Sequence, residues 1–278
     1  GLAGKLSRPV GLPKCDPCMC GKSKLRSIKE QQDIEVTFCG QVTQTDHWGP
    51  AVECLYYTGC RYAIGFRDAF SRFSWVVLVK NRTAPEVINA FKIYCAVCRK
   101  RGFDVVGLDS DGISEFVSEE LYDFCDDWAI ERHVSCRYTS QQAGLIERVW
   151  GVSFPKIRAV CHEAKVSLRN WGLVLVQWVN FVMNWLPHSA FDMLKSPAMM
   201  TPAGGKGNVR NLRRLFSVCW PVTPKEVREN KISPTATRCY VCGLSDVYKG
   251  WIVCNPVTQT YEHTYNVRFD EYTLYFHD

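Results

Sequence analysis

Three acidic residues stand where strand and helix patterns would bring carboxylates together. One apolar, β-prone run ends at Asp46 in VTQTDHWGP, and a second ends at Asp111 in VVGLDSDGISEF. Glu147 lies in a helical pattern at the close of YTSQQAGLIERVW, with thirty-five residues between it and Asp111. Carboxylates delivered by two strand ends and one helix can converge on a pair of divalent ions. Mg²⁺ and Mn²⁺ are hard ions that prefer oxygen ligands, and a two-metal site holds both the attacking and the leaving oxygen of an in-line phosphoryl displacement. Alone, the triad is weakly specific, because 28 Asp and Glu residues offer many triplets. Asp46 also suits a turn, where aspartate is favoured. Asp109, two residues before Asp111, shares its side of an extended chain; with Glu115 it reads as a neighbour that adds negative potential. A second group, Cys15-x-x-Cys18 followed by the basic GKSK, offers two thiolates to a tetrahedral Zn²⁺, but a structural site wants four ligands and no His pair precedes it.

These residues need elements to hold them. IEVTFCGQVTQT alternates as a half-buried strand should, delivers Asp46, and is stopped by the Gly-Pro of HWGP. RYAIGFRDAF and SRFSWVVLVKN read as a hairpin. TAPEVINAFKIYCAVCRKRG then reads as a helix with Thr83 at its N-cap, Pro85 and Glu86 in its first turn and Gly102 at its stop. FDVVGLDSD returns as a parallel strand, which places Asp46 and Asp111 side by side. A short helix capped by Ser118, a β run in IERHVSC with a structural His133, and a long helix from Leu145 follow, with a kink or interruption expected at Pro155. Residues 166–187 form a strongly apolar helix that closes the core. Beyond a Gly/Pro-rich passage near 200, where Arg210, Arg213 and Arg214 suit either nucleic acid or a solvated linker, short β runs suggest a small β-barrel. Cys239-x-x-Cys242 lies in one of those runs and reads as a pair of core thiols.

Bulk properties bound the function. A net charge of +6 permits a polyanionic partner without demanding one. WGLVLVQWVNFVMNWL is the longest apolar stretch and is shorter than a membrane span, so no membrane partner is expected. The absence of a signal-like opening argues against secretion, and the odd count of 15 cysteines, mostly single within apolar runs, fits free buried thiols in a reducing compartment.

The words around these residues resemble a family. CDPCMCGKSK, TDHWGP, RYAIGFRDAFSRFSWVVLVKNRTAPEVINAF, LDSDGISEF, YTSQQAGLIER, NWLP and GLSDVYKGWIVCNPVTQTYEHTYNVRFDE are similar to the integrase region of copia-type long-terminal-repeat retrotransposon Pol polyproteins, in order and spacing and over most of the chain. The resemblance implies an α/β catalytic core, RNase H-like, with a mixed five-stranded sheet flanked by helices over 33–200. A linker and a small Src-homology-like β-barrel would follow over 201–278. The remnant of a zinc-binding segment and a linker would precede it over 1–32, its upstream His pair lying outside an excerpt of a longer polyprotein. It assigns Asp46, Asp111 and Glu147 to two Mg²⁺ or Mn²⁺ ions, with Asp111 preferred to Asp109 because Glu115-Phe116 follows at the family's offset. Cys15 and Cys18 become a partial Zn²⁺ site. Gln141 and Gln142 fall on a loop near the metals and DNA, and Asn184 and Pro187 on the family's Asn-Arg-x-Pro; Arg148 and Lys156, on the segment after Glu147, suit either phosphate contacts or a solvated helix face.

The implied enzyme is a DNA strand transferase, in which a DNA 3′-hydroxyl attacks a phosphodiester of target DNA. Its partners would be double-stranded DNA (element ends and target) and further copies of itself as a homo-multimer, and its place the nucleus, after a cytoplasmic particle stage. The sequence departs from the family at Gly112-Ile113-Ser114, where Asn-Gly-Gly is usual, and at Ala143, where Asn is usual. Those departures keep open a catalytically decayed, DNA-binding relic. The carboxylates alone would equally serve a metal-dependent nuclease that activates water.

Overall fold

The alternation that begins at Ile34 does not become strand at once. In the computed structural model, which describes residues 35–134, 144–205, 207 and 209–275, the chain first reverses at Gly40. There φ is +84° and a Cβ would collide with the Asp104 carbonyl. Strand β1 therefore starts only at Thr43 and runs to Trp48. Asp46 lies inside the strand, not in the turn that ends it.

β2 (Tyr62–Asp68) and β3 (Ser74–Val79) form the expected hairpin, and β4 (Gly107–Ser110) and β5 (Glu131–Val134) complete one sheet. Its order is β3-β2-β1-β4-β5, antiparallel from β3 to β1 and parallel from β1 to β5. This is the mixed five-stranded RNase H-like arrangement. The parallel step from β3 to β4 is made by helix α1 (Ala84–Lys100), which has Pro in its first turn and basic residues in its last. Thr83 holds the N-cap position in extended backbone, but its hydroxyl makes no capping bond. Ser118 does cap α2 (Glu119–Asp127), accepting from the Leu121 amide.

Strand alternation sends the two faces of the sheet to different helices. Ile64, Phe66 and Leu108 pack with Phe91 and Tyr94 of α1 and Leu121 of α2. On the other face Ala63 and Val76 pack under α3 (Gly144–Glu163) and α4 (Trp171–Val176, continued as a π-helical stretch Gln177–Met183). α3 continues through Pro155 without interruption. An interior proline costs about 3 kcal/mol, yet here its ring is exposed while Ile146, Val149, Trp150, Ile157 and Cys161 are buried along the inner face. Packing of that face outweighs the local penalty.

The apolar helix expected over 166–187 opens with a 3₁₀ turn, Leu168–Asn170, and then carries three buried amides. Asn180 exchanges hydrogen bonds with the Val76 backbone (2.7 and 3.1 Å), and Asn184 with that of Ser74 (2.9 and 2.7 Å). Gln177 does the same with Leu244 (2.8 and 2.9 Å). Leu244 ends β7 (Cys239–Leu244) in a second, antiparallel five-stranded sheet. That sheet also holds β6 (Ser217–Pro221), β8 (Trp251–Asn255), β9 (Thr260–Thr264) and β10 (Val267–Leu274), in the order β10-β6-β7-β8-β9. The described residues from 36 onward form one compact unit. Cys239 and Cys242 are buried free thiols. Among the described residues, no helix is long and apolar enough to cross a membrane.

Candidate active site where β1 meets β4

β1 and β4 run parallel, but β1 has its antiparallel hairpin on one side and a crossover on the other. The crevice at the carboxyl ends of such strands is where open α/β sheets place ligands. The register pairs Gln44 with Asp109, and carried two residues further it sets Asp46 beside Asp111, just past the end of β4. Gln44 and Asp46 share a face with Gly65 and Arg67 of β2, their direct partners across the hairpin.

That face is where α3 seats. The Gln44 side-chain oxygen accepts from the amides of Leu145 and Ile146 (3.0 and 3.3 Å), satisfying two of the donors that a helix N-terminus leaves open. One turn on, the Trp150 indole N–H donates to Asp46 Oδ2 at 2.8 Å. Gly65 permits this, because a Cβ there would stand 2.6 Å from the Trp150 ring. Two residues of one strand thus fix the helix that carries Glu147. Glu147 itself is exposed, in the first turn of α3.

The electrostatics follow from crowding. Burial raises the Asp46 carboxyl above its ordinary range and the Glu147 charge adds to the rise, while the Trp150 indole, the His47 amide and Arg82 oppose it. Asp111 is also raised, first by burial and then by Asp46; the Ile113 amide and Arg82 oppose. The three carboxylates are electrostatic neighbours in the pattern Asp111–Asp46–Glu147. Among the described residues, buried Asp111 Oδ1 moreover has no hydrogen-bond partner. An all-oxygen donor set, mutual repulsion and an orphaned carboxylate oxygen fit a hard divalent cation. Among the described residues, no three acidic, His or Cys side chains are drawn close enough to hold an ion as they stand.

The neighbouring acids have other partners. Asp109 meets His133 Nδ1 at 3.0 Å across β4 and β5. Burial raises its carboxyl while the His133 charge and hydrogen bond oppose. Glu115 pairs with Arg82 at 2.6 Å and accepts from the Ser114 hydroxyl at 2.7 Å. Burial pushes Glu115 up, but those donors outweigh it and hold it below the usual range. Arg82 is thus tied down just before α1 while its charge still reaches both aspartates. His47, on the opposite face from Asp46, packs edge-on to Tyr62 and Phe116. Burial, then Arg82, press it down to about 4 against the pull of Glu115, so it is neutral.

The remaining expected site residues divide. Arg148 is exposed beside Glu147. Lys156 lies nine residues beyond Glu147, two and a half turns and so on the opposite side of α3, with its ammonium 4.5 Å from the Trp178 ring centre. It is not brought to the carboxylates. Cys15, Cys18, Gln141 and Gln142 lie outside the described residues. Sequence reasoning missed Gln44, Arg82 and Trp150. The first was within reach, because period-two alternation puts residues 44 and 46 on one face; the other two act on Asp46 across 36 and 104 positions of chain, Arg82 through its charge and Trp150 through a hydrogen bond, which no local pattern encodes.

Comparison with known proteins adds the following. Residues 217–278 match the family described as the retroviral polymerase SH3-like domain. Over 258 residues, 92% of its length, the chain is 23% identical to the retrovirus-related Pol polyprotein from transposon RE1 of Arabidopsis thaliana, of which it spans 17%. Among solved structures, it is similar to the HTLV-2 integrase catalytic core domain in complex with magnesium (trimeric form), with 18% identity, 59% of this chain and 97% of that one covered, and a TM-score of 0.45. It is similar also to the simian T-cell lymphotropic virus intasome in complex with the PP2A regulatory subunit B56 gamma, with 15% identity, 82% and 79% covered, and a TM-score of 0.47.

Proposed function

We propose that this chain, related to the integrase region of retrovirus-related Pol polyproteins, is the catalytic portion of a copia-type integrase that carries out metal-dependent DNA strand transfer. One observation carries the reading: the β1–β4 register, extended by two residues, sets Asp46 and Asp111 side by side, on the face to which Gln44 and the Trp150–Asp46 bond pin the helix of Glu147.

In this reading Asp46, Asp111 and Glu147 hold two Mg²⁺ or Mn²⁺ ions, which when bound supply Lewis-acid activation of a hydroxyl nucleophile and neutralise charge on the leaving oxygen. The chain's own residues do the positioning. Trp150 fixes the Asp46 carboxylate through one oxygen, and the His47 amide holds the other at 2.7 Å. Arg82 and Ser114 secure Glu115, and with it the segment after Asp111. Arg148, exposed next to Glu147, meets the DNA backbone, and phosphate contacts of this kind make affinity fall steeply with salt. The substrates are element ends and target duplex, the working form is a multimer, and the site of action is the nucleus.

A second reading, a DNA-binding relic without turnover, is favoured by Ile113 and Ser114 beside Asp111 and by the open spacing of the three carboxylates. One experiment separates the two. A short labelled duplex is incubated with plasmid and Mg²⁺ or Mn²⁺, alongside disintegration of a branched substrate, for wild type and Glu147→Gln. The integrase reading expects products from wild type that disappear with Glu147→Gln. Intact DNA binding with no product from either protein would overturn it in favour of the relic. Cleavage with water as the sole acceptor would point to a nuclease.

A further inference from the structure

Beside the carboxylates lies a site with the opposite chemistry, rich in donors and short of acceptors. Arg67, directly across β1–β2 from Gln44, is 2% exposed. Its Nη2 lies 2.9 Å from His188 Nε2, and the Ala190 amide donates to His188 Nδ1 at 3.1 Å. A neutral imidazole has one acceptor nitrogen and one N–H. It can satisfy Arg67 or the Ala190 amide, but not both, and moving its proton between the two nitrogens only changes which donor is left. Arg67 Nε is buried and has no hydrogen-bond partner among the described residues.

Among the described residues, no carboxylate answers this charge. Asp68, next in sequence, points to the other face, where its oxygens accept from the Gly40 amide and from the amide and hydroxyl of Ser71. Arg72 feels the Asp68 charge, but Arg67 and Arg148 make no ion pair among the described residues. Arg72 and Arg148 instead bear on both Arg67 and His188. Burial, followed by those two charges, depresses the Arg67 guanidinium to about 10, which still leaves it cationic at neutral pH. A buried, unpaired guanidinium is costly. Arg72 and His188 are part-exposed and Arg148 is exposed, so the groups acting on Arg67 reach solvent.

We propose that Arg67, with Arg72, Arg148 and His188, forms an oxyanion site for a phosphate group, separate from the metal carboxylates. The oxyanion displaces His188 from Nη2 and accepts from the guanidinium, leaving the imidazole free to accept from Ala190. A tetrahedral phosphate suits the planar, multidentate donor set of arginine. That the phosphate is a backbone diester of DNA, not a free ion, rests on the integrase reading. It would place a strand on the α3 side of the hairpin, one strand over from Asp46.

The test needs no turnover and is run in EDTA. Melting is followed in inorganic phosphate and in chloride at matched ionic strength, and duplex binding as a function of salt, for wild type, Arg67→Met and Arg148→Gln. Phosphate should raise the wild-type Tm. Arg67→Met should melt about 2–4 °C higher than wild type in chloride, having lost an unpaired buried charge, and gain nothing from phosphate. The slope of log affinity against log salt should fall by about one for Arg67→Met. Equal phosphate gains in all three proteins, or no gain in any, would overturn the site. A phosphate gain without a change of salt slope would overturn DNA as its source. Should Arg67→Met fail to fold, the exposed Arg148→Gln decides, with a reduced gain and a shallower slope expected. Strand transfer that fails while these arms succeed removes the integrase reading and leaves the site standing; the reverse result removes the site alone.

Discussion

On one face of the central sheet, Ile64, Phe66 and Leu108 merge with α1 and α2 into a continuous apolar layer. On the other, Gln44 and Asp46 of β1, with Gly65 and Arg67 that alternate with Ile64 and Phe66 along β2, lie under or beside α3. The first face gains from removing area from water, a non-directional effect that tolerates any well-packed hydrophobe. Each polar group of the second must find one partner at one distance or pay its desolvation. Gln44 finds the α3 amides and Asp46 finds Trp150, whereas Arg67 finds only half of a histidine. Damage to the first face should therefore appear as lost stability, and damage to the second as lost chemistry.

The sharpest separation is expected from Glu147→Gln. Its side chain is exposed, so strand transfer should vanish while unfolding free energy stays within about 0.5 kcal/mol of wild type; a large stability loss would mean that the two faces are not independent. Phe66→Ala tests the converse. Phe66 is fully buried, stacked 4.8 Å from Tyr94 and 5.7 Å from Phe91, and its truncation should cost about 3–5 kcal/mol in urea unfolding. A cost under about 1 kcal/mol would show that this layer does not hold the sheet. Trp150→Phe keeps most of the ring and removes the N–H that orients Asp46. Activity or apparent metal affinity should drop about 10- to 100-fold, as for other groups that orient a metal ligand; unchanged kinetics would break the link between helix seating and carboxylate geometry. The smallest effect belongs to neither face. Asp104→Asn breaks the exposed pair with Arg99 and should move stability by less than about 1 kcal/mol, setting the baseline for the others.

Much of the scaffold was legible in the sequence because its signals are local. The hairpin, the α1 stop at Gly102, the Ser118 cap and the parallel return to Asp111 follow from alternation and punctuation within a few residues. Where tertiary contacts decide, local reading misplaced the boundary. The 34–45 alternation suggested one strand, but the close approach of Gly40 to Asp104 delays it to Thr43. Pro155 signalled a break that packing of the α3 inner face overrides. In the candidate site, the family words pointed to Asp46, Asp111 and Glu147, yet nothing near Arg82 or Trp150 announces that each acts on Asp46. The burial of Arg67 was equally hidden, since GFRDAF looks like the approach to an exposed turn.

The amides of α4 have a further consequence. β3 is the outermost strand of its sheet, and an outermost strand presents backbone groups that invite pairing with another chain. Asn180 and Asn184 occupy those groups at Val76 and Ser74, imitating with two side chains the rungs that a neighbouring strand would supply. They close the sheet to strangers on that side without adding a strand. A copy of this chain that lost the two asparagines would keep its carboxylates and its hydrophobic layer. It would nonetheless leave solution with its siblings before its chemistry had any chance to decline.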